Sequence, residues 1–319
     1  MIAILIVALA AGAASALMFA SISSGALISI LLFYLSPLPI MVAAFGWGPL
    51  AAAIGGVGAA SVLGAIFGLP YSIAFAMMVA VPGWWLGHLA LLGRPIEGAA
   101  GDGATQQPPA LEWYPVGRIL LWIAAFAVIT TTATLLTLGA DTDTITAALR
   151  RGLLKVLSAG DGQGSVEIER LVDMLVILAP LAATILSMVT LTLNLWLAGK
   201  ITQTSGRLNR PWPELRSTAL PSMTLVALLV AAALSFVGGM LALLAQIVTA
   251  ALVIGYALVG FAVLHTLTLS LNSRGFWLGG IYAVVVMFGW PIVAIFALGI
   301  ADAVFGLRQR YLQTRPPPL

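Results

Sequence analysis

The sequence predicts an all-α protein, a polytopic bundle of transmembrane helices with eight or nine spans and one interfacial amphipathic helix. Residues 1–93 contain no Asp, Glu, Lys or Arg, whereas a soluble domain carries charges along its whole length. The chain is 61% hydrophobic and 8% charged, and soluble domains are about 25% charged. Its apolar stretches continue for about 20 residues, the length that crosses a bilayer as a helix, and they lack the alternation of β-barrel strands.

Nine apolar segments, separated by turns and by polar loops such as 94–117, are the expected spans. The first has the length of a full span and no charged start, so we interpret it as a retained helix rather than a cleaved signal. The segments cover about 2–20, 25–45, 48–68, 70–92, 118–138, 169–198, 221–237, 241–266 and 276–304. They form one helical membrane domain over residues 1–306, followed by a polar, proline-rich tail over residues 307–319.

Residues 143–157 predict an amphipathic helix between the fifth and sixth spans. The run Asp141-Thr142-Asp143-Thr144 is typical of a helix start. Apolar residues then recur at helical spacing, with Arg150, Arg151 and Lys155 between them. A helix of this kind lies on the membrane surface with its apolar face in the lipid.

Small residues recur four positions apart in the first span, at Ala8, Ala10, Gly12 and Ala14. Such a face allows two helices to approach closely. Two interpretations stay open: the face packs inside the protein's own bundle, or it docks a partner protein.

Two interruptions of the apolar pattern indicate places where a ligand could bind. Pro37 and Pro39 break the second segment, either as a kinked span or as a short span with a re-entrant piece. In transporters a broken helix can mark the substrate site. Trp84 and Trp85 end the fourth segment, where such rings sit at the headgroup boundary or line a pocket.

Polar side chains inside apolar spans are costly and often functional. Those near predicted span ends, where headgroups solvate them, are His88, Asp173 and Asp302. Those deeper in the spans form interhelical hydrogen bonds or contact a ligand, and they are Asn194, Gln246 and His265. The expected ligand pocket comprises Pro37, Pro39, Trp84, Trp85, His88, Asn194, Gln246 and His265.

Several function classes are excluded or disfavoured by what the sequence lacks. It has no Walker A, His-Glu-x-x-His or Gly-x-Ser-x-Gly motif and no Cys, so we expect no catalytic residues, no cofactor and no ATP hydrolysis by this chain. Two His residues are too few for a metal site. The +3 net charge has no Lys/Arg-rich block behind it, and therefore we expect the lipid bilayer, not nucleic acid, as partner.

The orientation in the membrane stays open at this level. With nine spans, one side receives Arg94, the cations of 200–216 and Arg274, and the other receives those of 150–155 and of the tail. The two sides receive similar numbers of Lys and Arg residues, so the positive-inside rule does not decide which side is cytoplasmic. Because the loop 200–216 is short and densely basic, we favour a cytoplasmic location for the side that contains it.

Four local patterns carry a family resemblance that covers nearly the whole chain. They are Pro37-Leu38-Pro39, Leu193-Asn194-Leu195-Trp196, Arg210-Pro211-Trp212-Pro213-Glu214-Leu215, and Leu298-Gly299-Ile300-Ala301-Asp302 followed by Leu307-Arg308-Gln309-Arg310. In this order they resemble the YybS-like bacterial membrane proteins, a family defined by a domain of unknown function.

That family is distantly similar to the S components of energy-coupling-factor transporters. S components are small helical membrane proteins that bind a vitamin or a metal and dock on a coupling protein with two ATPases. Their first helix uses small residues four apart for docking, which Ala10 and Ala14 match in type. The resemblance implies a multi-pass protein of the bacterial cytoplasmic membrane, with a small-molecule ligand and with a coupling protein and ATPases in trans. The chain is several spans longer than a typical S component.

Together these observations favour a protein that binds or transports a small molecule in the manner of an S component. The alternative is a non-transporting scaffold that binds other envelope proteins through its Gly/Ala faces and basic loops. A membrane-embedded enzyme is least favoured, because no nucleophile and base can be paired from their spacing.

Overall fold

The computed structural model describes residues 1–95, 111–157 and 166–313, and most of them are helical. In chain order the main elements are α1 (Ile2–Ala20), α2 (Leu27–Leu35), α3 (Pro37–Trp47), α4 (Pro49–Phe67), α5 (Leu69–Phe75), α6 (Val81–Ala90), β1 (Gly93–Pro95), β2 (Leu111–Trp113), α7 (Val116–Leu136), α8 (Thr142–Leu157), α9 (Val166–Thr204), α10 (Met223–Leu234), α11 (Gly239–Leu267), α12 (Arg274–Phe288), α13 (Ile292–Phe305) and α14 (Leu307–Gln313). Short 3₁₀ turns cover Ser21–Ser24, Leu215–Ser217 and Thr268–Ser270, and a π-helical segment covers Ala76–Ala80.

Seven helical segments among the described residues are long and apolar enough to cross a bilayer. An eighth results if α13 and α14, which are bent by 68° at their junction, form one span. Two of the seven contain a break: α2 with α3 form Leu27–Trp47, and α5 with α6 form Leu69–Ala90. The predicted all-α, multi-pass membrane class is confirmed. The number of eight or nine spans stays a prediction.

Two stretches expected to be spans contain helices shorter than a bilayer requires. The seventh, 221–237, contains the 12-residue α10, and the ninth, 276–304, contains the 15-residue α12 and the 14-residue α13. Gly289 separates the latter two with a φ of 71°, and Pro291 follows it. A left-handed glycine followed by proline ends a helix. A helix of 15 residues is about 22 Å long, whereas the hydrocarbon core is about 30 Å thick.

Of the three predicted non-membrane stretches, the structure describes one completely and two in part. The predicted linker 94–117 includes the antiparallel pair of β1 and β2, and its residues 96–110 lie outside the described residues. The predicted amphipathic stretch 143–157 is helical as α8. The predicted tail begins with the helix α14, and its residues 314–319 lie outside the described residues.

The chain divides into two compact units. Unit 1 consists of Met1–Phe126 and Val189–Pro213, and unit 2 consists of Ala127–Met188 and Glu214–Leu319. Two helices, α7 and α9, therefore contribute residues to both units.

In unit 1, α1 and α4 pack with their backbones in direct contact. A Cβ atom on Gly12 would overlap the backbone carbonyl of Gly55, and a Cβ on Gly55 would overlap the carbonyl of Ala8. Lipid tails are as apolar as side chains, so helices in a bilayer associate through such close packing of small residues. Farther along the same helix pair, Phe19 and Leu63 are buried in one apolar cluster.

A second close contact in unit 1 joins α6 to α3. Gly83 and Gly87 lie against Ile40 and Ala44, and a Cβ on Gly87 would overlap that of Ala44. The π-helical segment lies directly before this part of α6, and the N–H of Val81 donates to the carbonyl of Ala76, five residues back. Pro82 has no N–H to continue the α-helical pattern, and a π turn before it adjusts the phase of the helix.

In unit 2, α11 and α13 make the equivalent kind of contact. A Cβ on Gly260 would overlap the carbonyl of Ile295, and a Cβ on Gly299 would overlap the carbonyl of Tyr256. The hydroxyl of Tyr256 shares a hydrogen bond of 2.8 Å with that of Thr224 in α10. The helix α11 is thus in contact with both α10 and α13, and it contains more buried residues than any other helix of unit 2.

The helix α8 in unit 2 begins at an acidic cap. The backbone N–H and the hydroxyl of Thr144 donate to the Asp141 carboxylate over 2.8 and 2.7 Å, and these bonds hold its pKa below the ordinary value. The cap is complete while Asp141 is ionised and weakens as the pH falls through that lowered pKa. Ile145 is fully buried beside Leu135 and Ile247, so the apolar face of α8 packs partly on protein.

Replacing Gly12 by Leu tests the contact between α1 and α4. The side chain has no space against the Gly55 carbonyl, so the helices must separate, and we expect a loss of about 1–3 kcal/mol in the free energy of unfolding. The matched control is Ala10→Leu, because Ala10 is exposed on the same helix. Thermal unfolding of the purified protein in detergent measures both variants, and equal melting temperatures would contradict the packing described.

Candidate functional site

At the break between α2 and α3, the carbonyls of Phe33, Tyr34 and Ser36 accept hydrogen bonds locally or from neighbouring helices. Pro37 cannot donate to the carbonyl of Phe33 four residues earlier. That carbonyl instead accepts from the N–H of Ser36 over 3.2 Å and from its hydroxyl over 2.7 Å. Together α2 and α3 are long and apolar enough to form one candidate span, and this favours an interrupted span over a re-entrant piece.

Two buried side chains from other helices of unit 1 donate to the same break. The hydroxyl of Ser15 in α1 donates to the Ser36 carbonyl. The amide Nδ2 of Asn194 in α9 donates to the Tyr34 carbonyl over 2.8 Å and to the Thr190 carbonyl over 2.8 Å. Neighbouring helices must supply such donors if a proline break is to persist in lipid. Asn194 is thus an interhelical hydrogen-bonding residue, one of the two roles expected for it.

The same asparagine has one hydrogen-bonding atom left over. Asn194 is 1% exposed, and its Oδ1 has no hydrogen-bond partner within the described part of the chain. Rotating the amide by 180° would place Oδ1 against two carbonyl oxygens, so the hydrogen bonds of Nδ2 fix which atom is which. A buried acceptor without a donor costs about 1–3 kcal/mol, which makes this oxygen the first candidate for a ligand contact.

The three predicted site residues on α6 form an aromatic cluster with one residue of α7. Trp84 stacks on His88 with ring centres 6.4 Å apart, and Trp85 lies 5.9 Å from the His88 ring. Trp122 of α7 meets Trp85 edge-on at 5.2 Å. The indole Nε1 of Trp85 is buried and has no acceptor among the described residues. Unit 1 therefore holds a free donor on α6 in addition to the free acceptor on α9.

Gln246 and His265 belong to unit 2 and lie near opposite ends of α11, about 28 Å apart at the helical rise of about 1.5 Å per residue. Nε2 of Gln246 is 3.5 Å from the Ser235 carbonyl, a long hydrogen bond. A single small ligand cannot contact both Gln246 and His265. The other six predicted pocket residues are in unit 1.

His265 takes part in a polar cluster with two neighbours. Nη2 of Arg274 is 3.3 Å from its Nδ1, and the hydroxyl of Tyr282 is 3.0 Å from its Nε2. Arginine can only donate, so Nδ1 accepts and the neutral ring carries its proton on Nε2, which donates to Tyr282. Both ring nitrogens are engaged, and this assigns His265 a structural role within unit 2.

The four small residues proposed as a docking face divide between two surfaces of α1. Ala8 and Gly12 are buried against α4, Ala10 is exposed, and Ala14 is half-buried. The first two are used inside the protein. Only the surface that contains Ala10 is open to another molecule.

Two acidic residues expected near span ends have cationic partners in unit 2. Asp302, 8% exposed, binds Arg308 across the bend between α13 and α14 with Oδ2 2.7 Å from Nη2. Arg308 also donates to the carbonyls of Arg216 and Thr218. Asp173 pairs with Arg150 of α8, and both side chains of this pair are partly exposed, so it adds little stability.

Sequence reasoning missed several participants in these contacts. Ser15 and Trp122 lie in apolar stretches without any feature that marks them, because Ser and Trp are both common in membrane helices. The position of Ser36 directly before Pro37 was a usable signal, since a hydroxyl next to a proline break often satisfies the freed backbone.

Comparisons with family models, with curated proteins and with solved structures find no match to this chain. The resemblance to YybS-like proteins therefore rests on its sequence patterns alone.

Replacing Asn194 by Leu, which has a similar volume and no polar atoms, tests its hydrogen bond to the interrupted span. The Tyr34 carbonyl would lose its donor in a dry environment, and we expect the free energy of unfolding to fall by about 1–3 kcal/mol. Asn209→Leu, in an exposed loop of the same unit, is the control. If both variants melt at the wild-type temperature in detergent, Asn194 does not support the break.

Proposed function

We propose that this protein binds a small molecule within unit 1 and transports it or presents it for transport, in the manner of an S component. One observation carries the proposal: the interior of unit 1 keeps buried hydrogen-bonding atoms that have no partner among the described residues, and Oδ1 of Asn194 and Nε1 of Trp85 are two of them, beside the hydroxyls of Tyr71 and Thr192. Native proteins pair nearly all such atoms, and a bound ligand is one way to pair them.

The chemistry of unit 1 restricts what the ligand can be. Its spans up to residue 93 contain no charged side chain, so a charged ligand would find no compensating partner there. A free acceptor and a free donor, in a unit rich in aromatic rings, fit an uncharged molecule with an apolar body and a few hydrogen-bonding groups.

The proposed cellular setting follows the family resemblance. A YybS-like protein would reside in the bacterial cytoplasmic membrane, and an S component would need a coupling protein and ATPases in trans. Ala10 offers a small, exposed position on α1 where such a partner could approach. The buried pair of Ala8 and Gly12 is excluded from that role.

The scaffold alternative has its own supporting observation in unit 2. The helix α12 buries only Leu278 among its residues. Its exposed apolar side chains include Phe276, Val286 and Met287, which are 80%, 85% and 78% exposed. Lipid or another membrane protein would cover this helix, and a stable partner on it would favour the scaffold.

Removing the free indole N–H separates ligand binding from fold stability. Trp85→Phe keeps an aromatic ring and loses the donor, and Trp84→Phe makes the same chemical change one residue away. Untargeted mass spectrometry identifies the small molecules extracted from the purified wild-type protein. We expect the Trp84→Phe variant to retain them. We expect their amount to fall about 5- to 10-fold in the Trp85→Phe variant, because one buried hydrogen bond to the ligand is lost.

Melting temperatures accompany that measurement, so that a misfolded variant is recognised. An equal loss of bound molecule in both variants would remove Trp85 Nε1 from the site. A wild-type protein that yields no molecule above the level of a mock purification would count against the proposed function as a whole. Co-purification of another envelope protein, lost in a variant of the α12 surface such as Phe276→Ser, would support the scaffold.

A further inference from the structure

The Lys and Arg residues described in unit 1 all lie at one end of it, here called the basic end. Arg210 donates to the carbonyl of Ala90, the last residue of α6, over 2.9 Å, and to the carbonyl of Tyr114 over 3.1 Å. The guanidinium of Arg207 lies over the ring of Trp47, where α3 ends, at 4.5 Å. The cations of the basic end are Arg94, Arg118, Lys200, Arg207 and Arg210.

The opposite end of unit 1 is uncharged. The connections there are the turn 21–26 between α1 and α2 and the single residue Gly68 between α4 and α5. They consist of Ser, Ile, Gly and Ala. In its described part, unit 1 thus has its cations at one end of its helices and none at the other. This asymmetry is not visible when the Lys and Arg residues of the whole chain are counted on each side of the membrane.

Tryptophan rings lie beneath three of these cations. The ammonium of Lys200 is 3.7 Å from the ring centre of Trp212, and the guanidinium of Arg210 is 5.8 Å from that of Trp113. Trp47 under Arg207 is the third ring. Tryptophan is enriched at the headgroup level of membranes, and a cation over its face gains cation–π attraction. The basic end therefore has the composition of a membrane–water boundary.

The five cations differ in whether their charge is already engaged. Burial lowers the pKa of Arg210 from its ordinary value, and its hydrogen bonds to two carbonyls make it a structural residue. Arg94 is 2.6 Å from Glu112 on the facing strand. Arg118 and Arg207 are exposed and have no acidic partner among the described residues, and Lys200 is half-buried beside Gln203.

We propose that the basic end lies at the cytoplasmic leaflet and that Arg118, Lys200 and Arg207 bind the phosphates of anionic phospholipid headgroups. Lys and Arg concentrate on the cytoplasmic side of membrane proteins, and the anionic lipids of that leaflet attract them. Guanidinium groups fit phosphate oxygens with two parallel hydrogen bonds. Binding of lipid phosphates at the basic end requires no ligand inside unit 1.

Single cysteines test the orientation without background, because the chain has no Cys. Asn209→Cys and Ser205→Cys report on the basic end and Ser23→Cys on the uncharged end, all at exposed positions. We expect a membrane-impermeant maleimide to label the residue-23 variant in intact cells and the other two only after permeabilisation. Labelling of the variants at 205 and 209 in intact cells would overturn the proposal.

Lipid selectivity tests the headgroup contact directly. Native mass spectrometry of the purified protein, titrated with phosphatidylglycerol or phosphatidylcholine, should show preferential binding of the anionic lipid. We expect the double variant Arg118→Gln/Arg207→Gln to lower the ratio of anionic to zwitterionic lipid bound by about 5-fold per charge removed. The corresponding Arg→Lys pair keeps the charge and loses only the paired hydrogen bonds of the guanidinium, so it should retain most of the preference. Arg94→Gln, whose charge Glu112 already engages, should change it by about twofold or less.

Three outcomes of the titration would overturn the proposal. One is equal binding of both lipids by the wild-type protein, which would point to an acidic protein surface as the partner of the basic end. Another is an unchanged preference in the Arg→Gln pair. The third is full displacement of phosphatidylglycerol by inorganic phosphate at constant ionic strength, since the surface would then recognise free phosphate. The charge-preserving pair distinguishes lost binding from a failure to fold.

Discussion

Hydrocarbon offers no hydrogen-bond partners, and this constraint governs the structure wherever its helices deviate from regularity. A proline in a soluble helix can leave a carbonyl to water, whereas here each freed group needs a donor from the protein. At the break between α2 and α3 the donors come from three places: Ser36 itself, Ser15 of α1 and Asn194 of α9. The break thereby connects three spans of unit 1 through hydrogen bonds: α1, the interrupted span of α2 and α3, and α9.

Both units use the same contact to hold their central helices. In each, a glycine on one helix lies against a backbone carbonyl of its partner, and a glycine on the partner does the same in return. The pairs are Gly12 with Gly55 in unit 1 and Gly260 with Gly299 in unit 2. Because lipid removes the hydrophobic driving force between helices, the area of close contact decides which helices pair. Small residues supply that area where a larger side chain would hold the backbones apart.

The structural class of the protein could be predicted from its sequence, but the contacts between its helices could not. Continuous apolar runs and missing charges predicted a multi-pass helical protein, and the acidic start at Asp141 predicted where α8 begins. The spacing of small residues on α1 was visible too, yet it could not distinguish the buried Ala8 from the exposed Ala10, since that depends on where Gly55 lies. Gly289 and Pro291 divide a stretch that hydropathy alone joins into one span.

The candidate site shows the same limit. Polar residues in apolar spans were found by type, and Asn194 proved to be hydrogen-bonded to an interrupted helix, but position in the sequence does not reveal that His265 and Gln246 belong to another unit. Asp302 finds its partner Arg308 only because the chain bends at Gly306 between them. Partner identity is a property of the three-dimensional arrangement, and a single sequence contains no direct record of it.

The π-helical segment at Ala76–Ala80 amounts to one residue more than a regular helix would use over the same length. Each residue of a helix turns the chain by about 100°, so this extra residue sets the rotational phase of everything after it in α6. Excising it would turn Gly83 and Gly87 away from α3 and present other side chains to Ile40 and Ala44. The fourth span is therefore intolerant of a length change at this point, although its apolar composition would be unaffected and a hydropathy profile would show no difference.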